Sequence, residues 1–226
     1  MGGKMAAGHW IRAGVVWAVI GAGPALAHPH VFVETALEVI FDAGGLATGL
    51  RISWTYDDYY SLVIAGERGL DPDFDGIATP AENKALAGFD MGWDAGFAGD
   101  TYALMAGEAL ILSGPSDWTA VYEAGKITSS HLRSFAAPVS IGAAHLILQA
   151  YDPTYYSAYT IIGQPVLTGA PAGCTVAVFA PDTEAADAIL QAAIDEQAGS
   201  DDVESTFPAI GAAYADEARV TCIAGS

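Results

Sequence analysis

The chain has 226 residues, 52% of them apolar, and a formal net charge of −19 at pH 7. This is a globular rather than a disordered composition, long enough for one good-sized domain or two small ones. With 27 acidic residues against 8 basic ones, it argues against nucleic acid or anionic lipid as a partner and favours cations or a basic protein surface, with solubility or a salty habitat as the alternative explanation.

Residues 1–27 have the form of a secretory signal peptide. Lys4 and Arg12 flank a polar start, residues 13–22 are almost wholly small or apolar, and Ala25-Leu26-Ala27 has the small-x-small form that signal peptidase accepts. The apolar run is shorter than the roughly 20 residues a membrane helix needs, and no later segment reaches that length. The mature chain is therefore expected to begin at His28, in the periplasm, and not to span the membrane. Cleavage would leave His28 with an α-amine and an imidazole that can chelate one ion. Pro29 biases the backbone toward extended geometry, which puts His28 and His30 on one face. Proline also lacks the amide proton that an X-X-His copper or nickel site must lose. The alternative is that both histidines merely open a strand.

Residues 31–41 and 46–55 alternate around Gly44-Gly45, which predicts a β-hairpin. Asp57 is an N-cap residue for a short helix in which Tyr59, Leu62, Val63 and Gly66 recur at helical spacing. Thr79-Pro80-Ala81-Glu82 opens a second helix, whose apolar face is expected to be Leu86, Phe89, Trp93 and Phe97. Between the helices, "DPDFDGIATPAE" matches the twelve-residue calcium-loop pattern at each fixed position. Asp71, Asp73 and Asp75 supply carboxylates at positions 1, 3 and 5, and Gly76 permits the sharp turn. The Ile77 carbonyl faces the ion, Thr79 binds directly or through water, and Glu82 closes the site. The apolar residue usual at position 8, which pairs with a neighbouring hand, is here Ala78, and there is no second loop to pair with. Calcium is the expected ion, in a structural role, with Mg²⁺ or no ion as the alternative.

Six extended segments are expected across 102–161, then a strand at 174–179, an alanine-rich helix at 182–197 and a last strand at 217–223. The face of that helix is expected to comprise Ala185, Ile189, Ala192 and Ala193. Cys174 and Cys222 are the only cysteines, and in an exported chain they are expected to form a disulfide. The fold class is thus α+β, mainly antiparallel sheet or sandwich. A β-rich domain at 28–168 carries an EF-hand-like insertion at 56–98, and a C-terminal β-α-β unit at 169–226 carries the disulfide.

No nucleophile elbow, zinc-protease motif or phosphate-binding glycine loop is present, so no enzymatic activity is expected. His131 and His145 lie in strand-like stretches without acidic neighbours and read as structural histidines. They become further candidate ligands if the fold brings them to His28 and His30. The aromatic groups "WTYDDYYS" and "YDPTYYSAY" are expected to supply core area, with a pocket lining as the alternative.

The motifs "AHPHVFVE", "ISWTYDDYYS", "DPDFDG", "YDPTYYSAY", "GAPAGC" and "VTC", in this order, resemble a bacterial family of exported proteins of unknown function. That family is labelled the periplasmic component of an uncharacterised ABC-type transport system and occurs beside nickel/cobalt/zinc-type permeases. The chain itself is short for a two-lobed binding protein and lacks the alternating strand–helix order of such lobes. The resemblance implies traffic in nickel, cobalt or zinc, with copper also favoured by imidazole and amine ligands. It carries onto His28, His30 and the acidic loop. The expected function is an accessory metal-binding protein that serves an inner-membrane metal permease. The alternatives are a calcium-stabilised structural or interaction module that binds no transition metal and, more remotely, a copper enzyme using an amino-terminal histidine.

Overall fold

A computed structural model describes residues 29–142, 144–197 and 209–223. The expected leader, His28 and the acidic segment 198–204 lie outside the described residues.

The first hairpin forms as its alternation requires. Strand β1 (Val31–Phe41) buries Val31, Val33, Leu37, Val39 and Phe41, and β2 (Ala47–Tyr56) buries Leu50, Ile52, Trp54 and Tyr56. Its turn is fixed by Asp42, whose Oδ1 accepts the amides of Gly44 and Leu46, both at 2.9 Å. Gly45 sits at φ 78°, where a Cβ would also meet the Pro171 ring at 2.7 Å.

Two helices follow, α1 (Asp58–Arg68) and α2 (Pro80–Leu86). Then come β3 (Thr101–Met105), β4 (Glu108–Ala109), β5 (Ser116–Glu123), β6 (Lys126–Val139), β7 (Leu146–Ala150), β8 (Ser157–Ile161) and β9 (Val166–Thr168). The chain ends with β10 (Cys174–Phe179), α3 (Thr183–Gln197), a 3-10 turn at Gly211–Tyr214 and β11 (Glu217–Cys222). One sheet runs β5-β6-β2-β1-β8 with β9 also on β1, and the other runs β10-β11-β7-β3-β4. Their inward faces share one apolar core, which joins Val39, Leu50 and Ile52 to Leu146, Leu148 and Val220.

The fold is mixed α+β with mostly antiparallel sheets, as expected from the strand spacing. Four details differ. β1 pairs in parallel with β8 and β9, a long-range choice that no local period encodes.

Helix α1 buries Ser61 and Ala65, leaving Tyr59, Leu62, Val63 and Gly66 exposed. Both of its faces are apolar enough to pack. The small one wins because the Ser61 hydroxyl accepts the buried Ile127 amide at 3.0 Å on β6.

Helix α2 stops at Leu86, ahead of Gly88 at φ 80°, so Phe89, Trp93 and Phe97 project from turns. Helix α3 buries Ala186 and Leu190 rather than Ala185 and Ile189.

Strand β11 pairs with both β10 and β7, which places Cys174 opposite Cys222. The two form the disulfide, 48 residues apart in sequence. Cross-linking a loop of that length limits the unfolded chain, so replacing both cysteines by serine should cost about 2–4 kcal/mol. Urea unfolding would measure this, and an unchanged midpoint would contradict it.

Candidate metal-binding sites and a buried polar layer

The acidic loop is held in shape by its own carboxylates. Asp71, at φ 51°, accepts the Asp75 amide on Oδ1 at 2.8 Å and the Gly76 amide on Oδ2 at 3.0 Å. Asp75 Oδ1 accepts the Ile77 amide at 2.9 Å. These turns bring ligand oxygens of Asp71, Asp73 and Asp75 within 4.8 Å of one another. Three carboxylates at that spacing repel one another and form a hard-oxygen donor set of the kind calcium takes.

The rest of the loop is anchored to the first sheet. Gly76 C=O accepts the Gly125 amide at 3.3 Å, and the Ala78 amide donates to Tyr122 C=O at 3.0 Å. Ile77 forms an antiparallel bridge opposite Glu123. In this bonding pattern the N–H and C=O of Ile77 face away from the hairpin. The N–H donates to Asp75 Oδ1. The β5–β6 hairpin therefore does for this loop what a second hand would do.

Thr79 caps α2. Its amide and hydroxyl both donate to Glu82 Oε2 at 2.7 Å, and its Oγ1 accepts the Glu82 amide at 3.3 Å. This box fixes Glu82 at the lip of a depression of ≈ 570 Å³ shared with Asp73, Asp75, Ile77 and Thr79. The Thr79 bonds hold the Glu82 carboxyl below its ordinary value, and the like charge of Asp71 opposes them. Glu82 stands outside the three-aspartate cluster.

The histidines do not converge among the described residues, where the aspartates are the single cluster of three or more ligating groups. His30 immediately precedes β1, with its ring 4.8 Å from that of Tyr156. His145 is exposed, and its Nδ1 lies 2.6 Å from Thr221 Oγ1. His131 is fully buried, 4.7 Å from the Trp54 ring and 5.4 Å from that of Trp93. Neither of its nitrogens has a hydrogen-bond partner among the described residues.

Sequence reasoning missed two carboxylates held by tyrosine hydroxyls. Asp90 Oδ2 accepts the hydroxyls of Tyr56, at 2.7 Å, and Ser129. Asp100 Oδ2 accepts that of Tyr159 at 2.8 Å. Burial raises both carboxyls, Asp100 to about 7, where the Tyr159 bond opposes the shift and Asp152 adds to it. Arg133, also buried, donates to the carbonyls of Ala98, Thr101 and Ser113 and lies over the Trp93 ring at 5.1 Å.

A family model described as a protein of unknown function, DUF1007, matches residues 14–222. The chain belongs to that family. The match covers the acidic loop, His30, the Asp90 layer and both cysteines of this DUF1007 protein. No curated protein matches it. Among its described residues, no helix is long and apolar enough to cross a membrane. The disulfide suits an oxidising, extracytoplasmic compartment.

The buried layer gives this DUF1007 chain a pH signature. Asp100 binds its proton more tightly when folded, so its contribution to stability falls as pH rises from about 4 to about 7. Burial, with Arg133 and Arg51, pushes His131 down to about 4, so its contribution is lost as pH falls from 6.5 towards that value. Asp100→Asn removes the first effect alone. On acidification from about pH 7 to about pH 4, wild type should gain about 1–3 kcal/mol on this variant. Parallel pH curves in thermal unfolding would contradict this.

Proposed function

We propose that the protein is a periplasmic accessory protein, stiffened by calcium, that binds a transition metal at its mature amino terminus and exchanges it with an inner-membrane permease. The convergence of Asp71, Asp73 and Asp75 within 4.8 Å carries the calcium part of this reading. The Ile77 carbonyl and, once turned from Thr79, the carboxylate of Glu82 would complete an all-oxygen set, and such donors suit Ca²⁺ over softer ions.

The transition-metal part rests on different support. His30 immediately precedes β1 and is exposed, with its ring beside that of Tyr156. The amine and imidazole of His28 together with the imidazole of His30 would take nickel, cobalt, zinc or copper as cargo. The resemblance to exported proteins beside nickel/cobalt/zinc-type permeases favours such traffic, and the acidic composition favours cations near the surface.

One observation favours a second reading, a calcium-stabilised interaction module without transition-metal binding. Helix α1 turns Tyr59, Leu62 and Val63 outwards, a face suited to another protein surface.

Two titrations of the mature protein separate these readings. Calcium should raise the melting temperature with half-saturation at about 10⁻⁴ to 10⁻³ M, which at ten times Kd is about 1.4 kcal/mol of stabilisation. Asp73→Asn spares the hydrogen bonds within the loop, and with Glu82→Ala it should abolish the shift; a shift that survives both variants contradicts the calcium assignment. Nickel, cobalt, zinc and copper titrations should lose affinity by about tenfold or more in His30→Ala and after amino-terminal acetylation. Equal binding by every form would leave the interaction-module reading.

A further inference from the structure

A cavity of ≈ 210 Å³ opens between the start of β1, the end of β2, α1, the segment after α2 and β8. Its wall is mostly ring surface, from Trp54, Tyr60, Trp93, Phe97, Tyr156 and Tyr159. Neighbouring rings meet tilted or edge-on: Trp54 to Trp93 at 6.4 Å and 35°, Trp54 to Tyr159 at 5.8 Å and 58°, Trp93 to Phe97 at 5.5 Å and 89°.

One carboxylate, Asp90, reaches this wall. Its Oδ2 is taken by Tyr56 and Ser129, while Oδ1 is buried and has no partner among the described residues. No lysine or arginine lines the cavity. Burial raises the Asp90 carboxyl although the Ser129 and Tyr56 hydroxyls and the charge of Arg68 oppose the shift, so its charge is under-compensated and a cationic ligand at the wall would relieve that cost.

We propose that this cavity binds a small quaternary ammonium group, held by cation–π contact with the ring faces and neutralised by Asp90. This assignment does not depend on either metal site.

The chemistry selects the class of cation. Each ring presents a negative face, and Trp and Tyr are the strongest partners for a cation placed over them. Tyr56 and Tyr159 donate their hydroxyls to Asp90 and Asp100, which enriches their rings in electron density and leaves neither proton for a ligand. A primary ammonium carries three donors that each need an acceptor, and Asp90 is the one carboxylate at the wall, with one of its oxygens already taken by two hydroxyls. A quaternary nitrogen has no donor to satisfy. A neutral apolar ligand would fill the same space and leave Asp90 uncompensated. At a share of about 30 Å³ per water, the cavity has room for about seven waters, the scale of a trimethylammonium head with a short tail.

The intact mature protein reports on its own cavity through the fluorescence of Trp54 and Trp93. It would be titrated with choline, with the neutral isostere that has carbon in place of the quaternary nitrogen, and with n-butylammonium. Vesicles of phosphatidylcholine or of phosphatidylglycerol would tell a lipid headgroup from a free solute. Choline should saturate the signal, and both the isostere and n-butylammonium should bind at least about tenfold more weakly, which is 1.4 kcal/mol. Asp90→Asn keeps the shape and removes the charge, and should weaken choline by a similar factor. If that variant fails to fold, Phe97→Ala at the 45% exposed rim takes its place, with a loss of about fivefold expected. Equal binding of choline and its isostere, stronger binding of n-butylammonium, or no saturable response to either free choline or phosphatidylcholine would overturn the proposal.

Discussion

The first sheet ends in β5, and an edge strand left open is a row of unpaired amides and carbonyls. Here the acidic loop covers part of that row. Ala78 donates to the carbonyl of Tyr122, and the Asn83 side chain accepts the Tyr122 amide at 2.8 Å while donating to Ala78 C=O at 3.2 Å. The segment that carries Asp71, Asp73 and Asp75 is thus also the segment that closes the sheet. Mutual repulsion of the three carboxylates works against this closure, and a bound cation works for it. On the proposed reading, ion binding and sheet integrity are coupled through one short run of backbone.

The opposite end of the first hairpin organises the second region of interest. Asp57 accepts the Tyr60 amide on Oδ1 and the Phe32 amide on Oδ2, both at 2.8 Å, and so ties the start of α1 to the start of β1. Parallel pairing with β8 then sets Val31 beside Ser157 and brings Tyr156 and Tyr159 up to Trp54. Residues far apart in sequence meet there as one aromatic wall with the carboxylate of Asp90 at its edge. The amino-terminal histidine segment and the aromatic cavity are neighbours because both depend on the start of β1. The metal reading and the ammonium reading concern separate atoms at that shared end.

Local chemistry made much of this legible in the sequence. The hairpin turn, the Asp57 cap, the Thr79–Glu82 box and the calcium-loop pattern each follow from a few adjacent residues, and each appears in the fold. The disulfide followed from composition alone. The failures share a physical cause, which is that long-range contacts decided between options that were locally equal. Helix α1 has two apolar faces, and the Ser61 hydroxyl on the Ile127 amide selects the smaller one. In "DMGWDAGFAGD" the three aspartates look alike, yet Asp90, half-buried, and Asp100, buried, each accept a tyrosine hydroxyl while Asp94 is exposed. Nothing local marks β9 as a partner of β1, or distinguishes a tyrosine that fills a core from one that lines a cavity.

The central claim is that a cation in the loop at 71–82 secures the edge of the first sheet. Amide hydrogen exchange at Tyr122, Ala78 and Gly125, followed in the mature protein with and without millimolar calcium, tests it directly. If the coupling holds, calcium slows exchange at these three amides well beyond any change at β7, which lies in the other sheet. Equal protection in both conditions, or slowing spread evenly over both sheets, would contradict it.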